Sequence, residues 1–391
     1  MQREPECAVR AISTASERVA VVGLVTGRRR DADRTLDELA RLVRAAGATP
    51  VVFLLQERRS ADPTRYLGRG KVEELAAACA TSAIDVVVID AELSPGQRRH
   101  LEGAVERPVV DRTQLILDIF ARRAKTREGK LQVELAQLRY LLPRLAGAGH
   151  GLSRLGGGIG TRGPGETKLE IDRRKIRRRI ATIVRQLELV RQRRARLRFS
   201  RTKRRIPTVA LVGYTNAGKT TLFNRLTGDN AVVSDTLFMT LDPLLRRLRL
   251  PDRRLVLCSD TVGFLERLPH ALVAAFRATL EEVAEADVLL HVSDASSPSY
   301  DQHEAAVSGV LQEIGADGIP CVTVLNKCDL VNPADLARLR RQRPEAVCLS
   351  ATDPASGEVV CRVIEHALAA TGVSVGAAGG AGALMGVGVW V

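Results

Sequence analysis

Up to residue 111 the chain alternates short aliphatic runs with stretches whose apolar residues return every three or four positions. An aliphatic run of four to eight residues reads as a buried strand and a 3.6-residue period as a helix. Strands are therefore predicted over 19–25, 50–55, 84–89 and 108–110, and helices over 31–46, 71–80 and 94–105. Such alternation implies a small parallel sheet with helices on its faces. Beyond it the pattern changes to a longer helix: Leu131, Leu135, Leu138 and Leu142, at intervals of three and four, mark one over 113–142, ended by Pro143. A second long helix over 170–199 carries Ile176, Ile180, Ile183, Leu187, Val190 and Leu197 at similar spacing. Two such seams joined by a loop predict an antiparallel coiled hairpin, closed within one chain in a monomer or, alternatively, between two chains. After Pro207, strands over 208–213, 245–250, 254–259, 287–293, 320–326 and 346–350 again alternate with helices. The second of these is expected antiparallel and the others parallel, with a ligand at the carboxyl edge of the sheet.

Charge changes the picture at one place. The net charge is +14 and the pI about 10.0. Residues 173–205 hold sixteen Lys or Arg against one acid, Glu188, a local +15 that leaves about −1 for everything else. A basic stripe along one arm of a hairpin fits a polyanionic partner; a solvated charged face is the plainer alternative, opposed by self-repulsion. Between the arms lies a glycine-rich loop over 147–166 with Arg154 and Arg162, followed by Lys168. Exposed N–H groups and guanidiniums there suit phosphate and shape in folded RNA, with a flexible linker as the alternative. Arg173, Arg174, Lys175, Arg177 and Arg178 extend the same candidate RNA face.

Aromatics are only 3% of the chain, so aliphatic residues must fill the cores. Seven cysteines without a C-x-x-C pair read as buried thiols of a reducing cytosol. The start lacks the apolar core of a secretion signal. Residues 371–391 are uncharged but too rich in glycine for a membrane span, and are expected to form a flexible tail. His291 and His366 sit on apolar patterns and read as packing residues. Gly68-Arg-Gly-Lys71 resembles a phosphate turn without its spacing, which favours loop geometry.

The chemistry concentrates where the strand at 208–213 breaks. Gly213-Tyr-Thr-Asn-Ala-Gly-Lys-Thr220 has phosphate-loop spacing between a strand and a helix. Its backbone N–H groups, from Gly213, Tyr214, Thr215, Asn216, Ala217, Gly218 and on to Thr221, would wrap a polyphosphate at a helix N-terminus. Lys219 would reach the β- and γ-phosphates, and the Thr220 hydroxyl would ligate Mg²⁺. Downstream, in the order such a domain requires, come Phe238 and Thr240, then Asp260-Thr-Val-Gly263, then Asn326-Lys-Cys-Asp329. Asp260 would hold the metal through water, the Gly263 N–H would sense the γ-phosphate and Thr240 would close over the metal. Lys219, Thr240 and Gly263 are thus the catalytic candidates; Thr220, Thr240 and Asp260 are the metal candidates. Asn326, Lys327 and Asp329 select guanine, because the Asp329 carboxylate can accept from both N1–H and the exocyclic amine; adenine offers no such pair. A backbone N–H at Ser350-Ala351 would meet the guanine carbonyl. Phe264 occupies the position where small signalling GTPases keep a water-orienting Gln, so intrinsic hydrolysis is expected to be slow and partner-activated. Asn216 either offers its carbonyl to a monovalent cation such as K⁺ or bonds switch-loop backbone. Residues 270–286, after Gly263, are the element a γ-phosphate could move.

Gly68-Arg-Gly-Lys-Val-Glu-Glu-Leu75, Asp111-Arg-Thr-Gln-Leu-Ile-Leu-Asp-Ile-Phe-Ala121, Gln132-Val-Glu-Leu-Ala-Gln137, Gly156-Gly-Gly-Ile-Gly-Thr-Arg-Gly-Pro-Gly-Glu166 and the phosphate loop together resemble the HflX GTPases over residues 20–370. The resemblance implies a cytosolic GTPase that binds the large ribosomal subunit, is stimulated by it, and splits stalled ribosomes, notably under stress. It also implies that the N-terminal domain and hairpin loop reach rRNA near the peptidyl transferase centre. Met239 stands where the family usually has Ala, and Leu244-Leu245 where it has a more polar pair. The expected fold class is α/β: a P-loop GTPase domain over 206–370, preceded by a small parallel α/β domain over 1–111 and a long antiparallel helical hairpin over 112–205.

Overall fold

The computed structural model describes residues 17–26, 32–145, 164–203, 206–231, 233, 237–238, 243–265, 280 and 282–371. In the N-terminal unit β1 (Arg18–Val25) lies between β2 (Thr49–Glu57) and β3 (Val86–Ile89), with β4 (Val109–Asp111) beyond β3, all parallel. Alternate residues of β1 enter two different cores: Val19 and Val21 face one side, Ala20 and Val22 the other. Burial on both faces is why the strand is continuously apolar. α2 (Arg69–Thr81) and α3 (Pro95–Val105) cover one face; α1 (Ala32–Ala45) and α4 (Arg112–Arg123) cover the other. Ser94 and Gln97 form a reciprocal capping box that starts α3.

The predicted single helix over 113–142 is instead two, α4 and α5 (Arg127–Arg144). Ala124 leaves the helical conformation and Thr126 caps the new helix, accepting from the Gly129 N–H at 3.0 Å. Nor does Pro143 end α5, which runs one residue further. In the last turn its missing N–H removes a single helical bond. α6 (Pro164–Lys203) runs back along α5, where Leu131, Leu135 and Ile183 are buried with Leu138, Ile180 and Leu187 against them. Glu134 pairs with Arg179 and Glu128 with Arg194, as antiparallel arms require.

The second sheet has the order β10-β9-β8-β5-β7-β6. It comprises β5 (Thr208–Val212), β6 (Leu244–Arg249), β7 (Leu255–Asp260), β8 (Val288–Asp294), β9 (Cys321–Asn326) and β10 (Val347–Cys348). Only the β6–β7 pairing is antiparallel. α7 (Lys219–Thr227) and α10 (Ser356–Ala370) pack on one face, α8 (Tyr300–Glu313) on the other, and Leu339 of α9 (Pro333–Gln342) packs on a small cluster of Ala295, Tyr300 and Leu325. The core under α8 continues into that of the N-terminal unit: Phe120 of α4 meets Phe238 edge to face at 4.6 Å, and both share a cluster with Val212, Tyr214 and Phe264. The two sheets are therefore not joined by a loose linker. Cysteine burial departs from the sequence reading. Cys79, Cys258 and Cys361 are buried, but Cys321 is exposed and Cys328 and Cys348 are half-buried. His291 is buried and His366 is exposed.

Candidate functional site

β5 ends in Gly213, where φ is +151°, and the loop turns again at Asn216 (+61°) and Gly218 (+92°) before α7 begins. The glycines answer to sterics on the protein side. A Cβ on Gly213 would lie 2.1 Å from the Val292 carbonyl oxygen, and one on Gly218 2.1 Å from Asn326 Nδ2. Asn is among the few other residue types that accept a left-handed conformation, which explains Asn216 independently of any ligand.

The loop opens on a cavity of about 370 Å³. Thr215, Asn216, Gly218, Lys219, Thr220 and Thr221 form its floor, Phe238 and Gly263 one wall, and Asn326, Lys327, Asp329, Ser350 and Ala351 the other. Residues some 130 positions apart in sequence thus share one cleft, as the motif order predicts. Four residues that the motifs did not single out also line it: Val233, Thr261, Leu330 and Thr352. Thr261 and Leu330 lie inside or beside the motifs, so position alone could have found them. Leu330, 67% exposed, offers an apolar surface at the mouth for the face of a base. Thr240, most of residues 270–286, Arg154 and Arg162 lie outside the described residues, as does the Lys168 side chain. Arg174, Lys175, Arg177 and Arg178 are exposed on α6, whereas Arg173 is half-buried.

Lys219 is buried and donates to the Gly213 and Tyr214 carbonyl oxygens at 3.1 and 2.8 Å. Burial pushes its ammonium down to about 8, against the pull of Asp260. Such a cation gains strongly from an incoming polyanion. Thr220 Oγ1 donates to Asp260 Oδ2 at 2.8 Å. A hydroxyl and a carboxylate side by side beneath a phosphate loop are the hard oxygen donors that Mg²⁺ prefers, so the residues fit that ion.

Asn326 ties the walls together: its Nδ2 donates to the Ala217 carbonyl and its Oδ1 accepts the Ala351 N–H, both at 2.8 Å. In this arrangement the Ala351 N–H is engaged by Asn326. Lys327 pairs with Asp294 at 2.7 Å, and Asp329 is exposed at the mouth. Phe264 has its side chain in the core, while its backbone clasps the phosphate loop: its N–H donates to Gly213 O at 3.1 Å and its carbonyl accepts Thr215 N–H at 2.8 Å. Among the described residues, Phe264 and Leu265 follow Gly263, and both are buried.

Tyr214 turns away from the cavity. Its ring stacks on His303 at 3.8 Å and its hydroxyl donates to Glu38 of α1 at 2.7 Å. Glu38 also holds Arg112, which is bonded to Asp90 at 2.7 Å. Burial works against the Arg112 charge, but the Asp90 and Glu38 carboxylates outweigh it and keep the guanidinium firmly protonated. Sequence reading gave no sign of this link, because its ends are 176 residues apart.

Three family models match in sequence order: GTP-binding GTPase N-terminal over 33–121, GTP-binding GTPase Middle Region over 123–201, and 50S ribosome-binding GTPase over 208–327. The chain is 51% identical over 315 residues to a GTPase HflX of Caldanaerobacter subterraneus subsp. tengcongensis, spanning 81% of this chain and 73% of that one. It is 52% identical over 314 residues to a GTPase HflX of Alkalihalophilus pseudofirmus, spanning 80% and 74%. To the GTPase HflX of Escherichia coli it is 49% identical over 318 residues, spanning 81% and 75%. Among the described residues no helix is long and apolar enough to cross a membrane.

Proposed function

The chain belongs to the HflX family of GTPases and hydrolyses GTP, and we propose that it does so on the large ribosomal subunit, to dissociate or rescue stalled ribosomes in the cytoplasm. In this reading residues 1–111 and the hairpin over 112–205 dock on rRNA as a monomer, while residues 206–370 sense the nucleotide. The observation that carries it is the exposed cationic face of α6, with Arg174, Lys175, Arg177 and Arg178, on a hairpin that follows a unit bonded to the phosphate loop.

Lys219 leaves its two carbonyl partners for the β- and γ-phosphates. Thr220 and Asp260 would hold Mg²⁺, with Thr240 completing the set; the ion neutralises developing phosphate charge when bound. Asp329 accepts from guanine and Leu330 covers one face of the base. The Gly263 N–H meets the γ-phosphate, and its movement is transmitted through Phe264, whose backbone clasps Gly213 and Thr215. Because Phe264 is buried and apolar, the attacking water is oriented by the ribosomal partner; the Asn216 carbonyl would hold a K⁺ ion beside the phosphates. Tyr214, Glu38 and Arg112 carry the docking signal between the units, and hydrolysis releases the particle.

Binding to purified large subunits, measured by sedimentation across a salt series, tests the docking face. Replacing Arg174, Lys175, Arg177 and Arg178 by Gln lowers affinity and flattens the log–log salt slope by roughly one unit per lost phosphate contact. An unchanged slope would place the docking surface elsewhere.

A further inference from the structure

Two of the half-buried cysteines flank the guanine-selecting wall. Cys328 lies inside Asn326-Lys-Cys-Asp329, and Cys348 ends β10 two residues before Ser350. β9 and β10 are parallel with Cys348 opposite Leu325, and the short 3-10 turn Cys328–Leu330 folds back over that pair. The Cys328 N–H donates to the Leu349 carbonyl at 3.2 Å and its thiol donates to the Leu325 carbonyl at 3.2 Å, which sets Cys328 beside the Leu325–Cys348 pair. Both residues are half-buried.

We propose that Cys328 and Cys348 form a peroxide-sensitive dithiol whose closure to a disulfide loosens the hold of the neighbouring loops on a guanine nucleotide. The consequence for nucleotide rests on the reading of Asp329 as the guanine acceptor. The two thiols are unequal. The interaction with Cys328 and the nearby Arg340 outweigh burial and draw Cys348 down, which makes it the more acidic thiol of the pair. The interaction with Cys348, and burial after that, raise Cys328, which therefore keeps its proton. Cys79, Cys258, Cys321 and Cys361 are all raised by burial, so among the described cysteines Cys348 is the nucleophile.

The steps balance. The Cys348 thiolate attacks one oxygen of a hydroperoxide; the O–O bond breaks, a sulfenic acid forms, and the departing oxygen takes up a proton as water or alcohol. The Cys328 sulfur then attacks the Cys348 sulfur, the S–O bond breaks, and a second water leaves with the Cys328 proton. Two thiols are oxidised by two electrons in total and one peroxide is reduced.

A disulfide needs sulfurs about 2.05 Å apart, closer than two unlinked thiols approach. Cys348 is on a strand anchored by Leu349 N–H to Leu325 O at 2.9 Å, whereas the Cys328–Leu330 turn has no buried residue. The turn is the part that yields, and Asp329 moves with it. Losing one charge-assisted hydrogen bond to guanine weakens affinity by roughly tenfold or more.

The test uses the full-length protein, reduced or treated with hydrogen peroxide. Unreduced peptide mass mapping reads the link, and titration with fluorescent GDP reads affinity before treatment, after it, and after dithiothreitol. A Cys328–Cys348 link with roughly tenfold weaker GDP binding is expected, reversed by reduction and absent in C348S and C328S. The proposal is overturned by no link, a link through another cysteine, a link that leaves affinity unchanged, or an affinity loss that persists in C348S. If the reduced protein binds no GDP, it is the nucleotide site that fails, and the mass-detected link still stands or falls by itself.

Discussion

Asn326→Ala removes the group on which both walls of the cleft depend. The side chain is 2% exposed and bonds to two main-chain groups, the Ala217 carbonyl and the Ala351 N–H, each at 2.8 Å. Truncation leaves both main-chain groups without their partner in a largely buried wall, at about 1–3 kcal/mol each, so about 2–6 kcal/mol in sum. Asn326→Asp is the informative comparison. It keeps an acceptor for Ala351 but sets a carboxylate against the Ala217 carbonyl, so it retains one of the two bonds and costs more than half as much. Urea unfolding without nucleotide, followed by circular dichroism, gives the loss of stability. Hydrogen exchange at the Ala351 amide reports whether the opening is local. An Asn326→Ala protein within about 0.5 kcal/mol of wild type, with Ala351 still protected, would refute the bridging role.

Other expectations are independent of that one. Gly218→Ala, whose Cβ would sit 2.1 Å from Asn326 Nδ2 at a φ of +92°, reduces GDP affinity by at least about tenfold in a fluorescence titration. Gly228→Ala, at φ +68° with nothing within 4 Å, lowers stability by only about 1 kcal/mol and leaves GDP affinity intact. Burial, with the Lys219 and Arg343 charges, holds His291 down at about 4. The unfolded chain takes up its proton near pH 6.5 and the folded chain does not, so stability falls as pH drops from 6.5 to 4, by about 3 kcal/mol. His291→Leu flattens that limb in urea titrations at successive pH values. Tyr214→Phe and Glu38→Gln, combined in a double-mutant cycle on stability, show a coupling of about 1–2 kcal/mol from the 2.7 Å bond; additive effects would deny the link.

What the sequence made legible was local. The phosphate loop, Asp260-Thr-Val-Gly263 and Asn326-Lys-Cys-Asp329 each carry their geometry in a few adjacent residues, and the strands announce themselves by apolar runs buried on both faces. The break between α4 and α5 was missed because Ala124-Lys-Thr126 contains neither glycine nor proline, although the apolar spacing lapses over Lys125-Thr-Arg-Glu-Gly-Lys130. Pro143 was given too much weight, since a proline in a final turn forfeits little. The seam between the units was invisible for a different reason. Tyr214 looks like an ordinary phosphate-loop residue and Glu38 an ordinary helix-surface acid until the fold brings them together. Cysteine accessibility failed similarly, since Cys321 and Cys348 lie at strand ends whose neighbours decide their exposure.

In the proposed function, particle contact completes a catalytic site which the protein alone leaves unfinished. GTP turnover by the purified protein, measured with and without purified large ribosomal subunits, addresses it directly. The protein alone should release phosphate slowly, with a rise of at least roughly tenfold on adding subunits, corresponding to about 1.4 kcal/mol or more of barrier. Equal rates in the two conditions would contradict it.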